Sequence, residues 1–171
     1  ILENCLILEE FTVVDPGMAI AVVSPAFGSQ GIQTFGTEEQ KMKYLPPIVR
    51  GEAIMGSAFT EPDAGSDLAA AKTSAVRDGD EYIINGSKMF ITNADRADYL
   101  LCFVETNPEN PSIHQRHSML VVETSSKGFE ANRLKGKLGI RASSTCEVSF
   151  NNVRVPASNL VGELGNGFRQ A

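Results

Sequence analysis

The stretch Gly56-Ser57-Ala58-Phe59-Thr60-Glu61-Pro62-Asp63-Ala64-Gly65-Ser66-Asp67 holds the densest set of groups able to touch a ligand. Ala64 and Gly65 let backbone amides come close to a bound molecule, and the Thr60 and Ser66 hydroxyls add donors. An anionic or heteroaromatic ligand suits such a surface. The competing structural account is a turn in which Asp67 caps a following helix. Further along, Lys88-Met89-Phe90-Ile91-Thr92-Asn93 places an aromatic ring and a hydroxyl at a strand end, where a flat cofactor can be covered and hydrogen-bonded.

Other reactive residue types point elsewhere. Glu61, Asp63 and Asp67 lie in the later part of the first run, after its strand, and are expected to cap or pair locally, which makes them poor general bases. His114 and His117 have metal-like spacing, but they sit in a proline-interrupted stretch without a third ligand, so a solvated loop is expected. Arg133, Lys135, Lys137 and Arg141 form the one cationic cluster. It is too small to imply nucleic acid; a solvated edge strand is the first account and steering of cofactor or coenzyme phosphates the second. Cys5, Cys102 and Cys146 are odd in number and set among apolar neighbours, as expected of reduced core thiols.

The elements that must carry these groups change character along the chain. Ile1, Cys5, Leu8 and Phe11 have helical spacing, Asp15-Pro16 is a cap followed by an N1 proline, and Met18 to Phe27 reads as a helix buried on most sides. Pro25 and Gly28 should interrupt it and Gly36 should end it. Thr37-Glu38-Glu39-Gln40 is a capping box for a short helix to about Leu45, stopped by Pro46-Pro47.

Ile54 to Thr60 is too short and too flanked by glycine to be another helix, and from there the period is two. Strands are predicted at Lys72 to Arg77, Glu81 to Asn85 and Lys88 to Thr92, with Asp78-Gly79-Asp80 and Asn85-Gly86 as turns. More follow at Tyr99 to Glu105, Ser118 to Glu123, Phe129 to Leu134, Cys146 to Phe150 and Val153 to Val155. The loop Thr106 to His117 is expected to be exposed and mobile. Helices followed by short strands make an α+β fold with an antiparallel barrel or sandwich.

With 171 residues, 42% apolar and 21% charged, the chain can bury a core and is not disordered. Residues 1–67 carry 3 basic against 10 acidic side chains and residues 68–171 carry 12 against 11, so two different surfaces are implied. Nowhere do about 18 consecutive apolar residues occur, as a membrane span needs. Both ends read as cut, and a piece of a larger protein is expected.

Ala58-Phe59-Thr60-Glu61-Pro62-Asp63-Ala64-Gly65-Ser66-Asp67 resembles the acyl-CoA dehydrogenase signature, and Asn85-Gly86-Ser87-Lys88-Met89-Phe90-Ile91-Thr92-Asn93 resembles the strand that follows it in that family. Lys137-Leu138-Gly139-Ile140-Arg141-Ala142-Ser143 and Val153-Arg154-Val155-Pro156 support the likeness. It implies an FAD enzyme that oxidises acyl-CoA thioesters to trans-2-enoyl-CoA and passes electrons to an electron-transfer flavoprotein. It also implies a homotetramer or homodimer in the bacterial or archaeal cytoplasm or the mitochondrial matrix.

By the same resemblance, residues 1–53 are the end of a helical domain, 54–160 a middle β-domain and 161–171 the start of a helical third domain. Phe59, Thr60, Gly65 and Ser66 would meet the flavin, Ser66 also the thioester, and Phe90, Ile91 and Thr92 would complete the cofactor contact with Thr92 near flavin N5. Phe90 departs from the pattern, since many members carry Trp there. The catalytic base is expected outside this chain. A related flavin oxidase of the acyl-CoA oxidase or nitroalkane oxidase type, or a non-catalytic assembly module, are the alternatives.

Overall fold

The computed structural model describes residues 2–171; Ile1, the first residue of the opening apolar spacing, lies outside them. Four helices come first: α1 (Leu2–Val14), α2 (Pro16–Val23), α3 (Pro25–Phe35) and α4 (Glu38–Val49). Asp15 caps α2 by accepting from the Met18 amide at 2.9 Å, and Pro25 opens α3 immediately after Ser24. The capping box forms as the spacing predicts: the Gln40 amide donates to Thr37 Oγ1 at 3.2 Å and the Thr37 amide to Gln40 Oε1 at 3.0 Å.

Two helical expectations are corrected. Met18, Val22 and Phe27 are exposed rather than buried, because the buried positions of this stretch are taken by the small residues Gly17, Ala19, Ser24 and Gly28. A Cβ on Gly17 would stand 3.0 Å from the Ala142 amide, so the approach there is by backbone and the large side chains are turned outward. Helix α4 also runs through Pro46 and Pro47 to Val49. Proline's φ is already helical, and the missing N–H groups would have served the carbonyls of Met42 and Lys43 on an exposed turn, where water can replace them.

Eight strands follow: β1 (Met55–Ala58), β2 (Ser74–Asp78), β3 (Glu81–Thr92), β4 (Tyr99–Glu105), β5 (His117–Glu123), β6 (Phe129–Arg133), β7 (Thr145–Pro156) and β8 (Leu160–Val161), before a final turn of helix, α5 (Gly167–Gln170). The sheet order is β6-β7-β3-β2-β4-β5-β8, with β1 added parallel to β4 and most other pairs antiparallel. The expected α+β class holds, but the sheet does not close into a barrel: β6 and the two-residue β8 stand at its opposite ends.

Asn85-Gly86 is not a hairpin turn. β3 continues through it to Thr92, pairing with an equally long β7, and the pair shifts register between Ile84 and Gly86 and again between Lys88 and Ile91. Gly86 sits at φ +142°, and a Cβ there would come within 2.7 Å of Thr73 Cα, so the glycine serves a bulge pressed against the chain leading into β2. The two short strands predicted within 146–155 are likewise one strand, β7, with Asn152 at φ +52° taking up the bend.

Period-two alternation fills both faces of the sheet. On β4, Leu100, Cys102 and Val104 join a core with Ile84, Leu120, Val148 and Val153, while Leu101 and Phe103 join a second core with Met119, Val121, Ile32 of α3 and Tyr44 of α4. That is why Tyr99 to Val104 reads as an unbroken apolar run. Gln40 fastens α4 to the chain around β8 by donating to the Ser158 and Leu160 carbonyls at 2.7 and 2.8 Å, and Tyr44 donates to Asn159 Oδ1 at 3.1 Å.

Candidate functional site

The two runs singled out in the sequence lie side by side in opposite directions. A Cβ on Gly56 would be 3.2 Å from the Thr92 carbonyl oxygen, and at the other end the Met89 amide donates to the Thr60 carbonyl at 2.8 Å. Phe59, Thr60, Phe90, Ile91 and Thr92 are thereby gathered at one place. Beyond Thr60 the chain turns tightly, with the Glu61 and Ala64 amides each donating to the other residue's carbonyl, and presents Gly65 and Ser66 exposed after the turn. Among the described residues no hydrogen bond joins Gly65 or Ser66 to the second run. Asp67 makes no side-chain cap to the short 3-10 turn Leu68–Ala70.

Phe90 takes φ +61° and keeps its ring largely in solvent, while its neighbour Ile91 is buried. A non-glycine residue in the left-handed region beside a bulge costs energy, so the sheet pays to hold that ring outward. Asn93, also at φ +61°, secures the same corner: its side-chain amide donates to the Ala21 carbonyl and to Ser24 Oγ, both at 3.0 Å. The hydroxyls of Thr60, Ser66 and Thr92 make no hydrogen bond to another described residue.

Between α3 and β1 runs a groove of about 490 Å³ whose walls include Gly31, Thr34, Ser57, Phe59, Leu101 and Gln170. Two of its polar atoms, Ser57 Oγ and Gln170 Oε1, are buried without a partner among the described residues. Ser57 lies inside the first run, where its position before an apolar Ala58-Phe59 pair is its one sequence signal.

The main feature missed in the sequence is an ion pair. Lys88 is wholly buried and donates to Glu61 Oε1 at 2.8 Å, to the Phe59 carbonyl at 3.0 Å and to the Phe103 carbonyl at 2.6 Å. Glu61 also accepts from the Lys72 and Thr73 amides at 2.7 and 2.9 Å. Burial alone would push the Glu61 carboxyl up, but Lys88 and these donors outweigh it and hold the group below the ordinary 4.5. For Lys88, burial prevails over the pull of Glu61 and lowers its pKa from 10.5. Parity on β3, where Tyr82, Ile84, Lys88 and Ile91 face inward, was the available signal, obscured by the bulges.

Several side groups fall outside this place. His117 is not in a solvated loop: it is fully buried on β5, with Nε2 2.9 Å from the Ala71 carbonyl oxygen and its ring stacked on Phe103 at 4.6 Å. The remainder of the Thr106 to Arg116 loop is mostly exposed, as predicted. Cys102 and Cys146 are core thiols, Cys102 pushed by burial up to about 12, whereas Cys5 is exposed because α1 buries no side chain. In the basic cluster Lys137 is consumed internally, donating to the Ile140 and Ser143 carbonyls and to Thr145 Oγ1. No group of three or more metal-ligating side chains occurs among the described residues.

Residues 56–153 match the acyl-CoA dehydrogenase middle domain and residues 1–52 the N-terminal domain of the same enzymes. The chain belongs to the acyl-CoA dehydrogenase family. It is 46% identical over 137 residues to the short-chain specific acyl-CoA dehydrogenase of Clostridium acetobutylicum, covering 80% of this chain and 36% of that one. To the mitochondrial short/branched chain specific acyl-CoA dehydrogenase of Rattus norvegicus it is 39% identical, covering 98% of this chain and 38% of that one. The structure of butyryl-CoA dehydrogenase from Megasphaera elsdenii superposes with a TM-score of 0.89 at 36% identity, over 95% of this chain and 43% of that one. The chain thus spans roughly two fifths of the length of these relatives.

Proposed function

We propose that the protein carrying this chain is an FAD-dependent acyl-CoA dehydrogenase, converting acyl-CoA thioesters to trans-2-enoyl-CoA, and that these residues supply cofactor and substrate contacts but not the base. The observation that carries the proposal is the convergence of Phe59 and Thr60 with Phe90, Ile91 and Thr92 beside a groove holding two unpartnered buried polar atoms. An outward aromatic ring, unsatisfied hydroxyls and an apolar groove suit a flat ring system with polar edges.

In that reading a bound flavin would supply hydride-accepting chemistry for the substrate's β-hydrogen. Phe59 and Thr60 would hold its edge with backbone and hydroxyl groups, Phe90 would cover it, and Thr92 would donate to it near N5. Gly65 and Ser66 would border the flavin, and Ser66 also the thioester. The α-proton is removed by a carboxylate outside this chain, since Glu61 is ionised and engaged by Lys88 and two amides, and Asp63 and Asp67 are exposed. Residues 1–53, 54–160 and 161–171 are assigned to the helical, β and third domains. An electron-transfer flavoprotein takes the electrons, the full-length protein self-associates as a dimer or tetramer, and it works in the cytoplasm of a bacterium or archaeon or in the mitochondrial matrix, as the bacterial and mitochondrial relatives suggest.

The test is the full-length protein: flavin absorbance after purification, and enoyl-CoA formation with an artificial electron acceptor against oxygen. A colourless protein that takes up no added FAD overturns the reading, and oxygen as the efficient acceptor replaces it with an oxidase. Gly65→Val localises the cofactor. A Cβ at Gly65 meets no protein atom within 4 Å, so the fold should survive while FAD occupancy falls; full occupancy would remove Gly65 from the site.

A further inference from the structure

We propose that Lys88 is a positioning residue that sets the flavin-facing geometry of the site by clamping the Phe59–Glu61 backbone to β3 and β4. Three protons of its ammonium meet three acceptors on two segments: the Phe59 carbonyl and Glu61 carboxylate after β1, and the Phe103 carbonyl on β4. None remains for a substrate, and the side chain has no exposed surface, so Lys88 acts only through what it holds.

What it holds is the site. Phe59 and Thr60 stand directly against the Lys88–Thr92 end of β3, and Lys88 lies at the start of the register shift that leaves Phe90 at φ +61° with its ring outward. Glu61 extends the clamp to β2 by accepting the Lys72 and Thr73 amides. With Lys88 absent, the Phe59 carbonyl has no donor, and the single bond from the Met89 amide to the Thr60 carbonyl must keep the two runs in register. Loss of hydrogen-bonded support of this kind misplaces contacts by enough to weaken a bound ligand.

The proposal rests on the flavin reading above, and its test separates the two. In the full-length protein, Glu61→Gln keeps both carbonyl bonds of Lys88, whereas Lys88→Met/Glu61→Gln removes the clamp and both charges together, so no lone buried charge remains to unfold the sheet. Deuterium exchange is read at the Met89 amide against Leu101 and Val121, and FAD binding by titration of the apoprotein. The double variant is expected to exchange at Met89 at least about tenfold faster, with Leu101 and Val121 unchanged, and to bind FAD about tenfold more weakly with a shifted flavin absorbance band. Glu61→Gln, which keeps the two carbonyl bonds but leaves the Lys88 ammonium without its carboxylate, should fall between the parent protein and the double variant in both. Unchanged Met89 exchange, a uniform rise across the sheet, or parent-like FAD binding and spectrum in the double variant each overturn the clamp. A parent protein that binds no FAD overturns the flavin reading instead, and the exchange pattern then decides the clamp by itself.

Discussion

The β-region and the first two helices answer the same apolar composition in opposite ways. Along β4 and β5 nearly every side chain is fully buried between two cores, while α1 buries none and leaves Leu2, Leu6, Ile7, Phe11, Val13 and Val14 largely in solvent. The contrast shows that apolar periodicity reports a face to be covered, but the covering partner decides whether burial stabilises the chain. The sheet finds its partners inside these residues. Helices α3 and α4 stand between the two cases, each committing one buried anchor, Ile32 and Tyr44, to the second core.

If this division is right, a disturbance in the sheet should dominate all others. Lys88→Met leaves the Glu61 carboxylate buried without its cation, and a broken buried pair costs about 3–5 kcal/mol; denaturant unfolding of the full-length protein should show the loss, and a change below 1 kcal/mol would contradict the satisfied-pair geometry. Gly86→Val should come next. It forces a branched side chain to φ +142° with Cβ at 2.7 Å from Thr73 Cα, which costs at least about 1–3 kcal/mol by strain alone.

The pH dependence sharpens the comparison further. Because Glu61 is held below 4.5 in the folded state, the unfolded chain takes up its proton first as pH falls. The stabilisation it provides is therefore complete above about 4.5 and is lost as pH drops through that value toward the folded one. Glu61→Gln should flatten the acid limb of a stability-against-pH curve, and an unchanged limb would place the acid sensitivity elsewhere. The smallest effect is expected in α1: Val14→Ser, at a residue 86% exposed, should alter stability by no more than about 0.5 kcal/mol. A larger loss would mean that α1 is covered in the working protein, and the contrast between the regions would then describe the chain alone.

What the residues by themselves determined was local: the Asp15 and Thr37 caps, the alternation that makes the β7 residues strand, and the family likeness carried by the Ala58–Asp67 and Asn85–Asn93 runs. These are legible because caps and period-two patterns are satisfied within a few residues of chain. Only the tertiary structure decided the rest. Asn85-Gly86 became a bulge because β7 runs long enough to pair with β3 on both sides of it, and His117 became core because Phe103 stacks on it. Lys88 became the clamp of the site because β1 and β4 bring two carbonyls and a carboxylate to one ammonium, at separations of 29, 27 and 15 residues that no local pattern records.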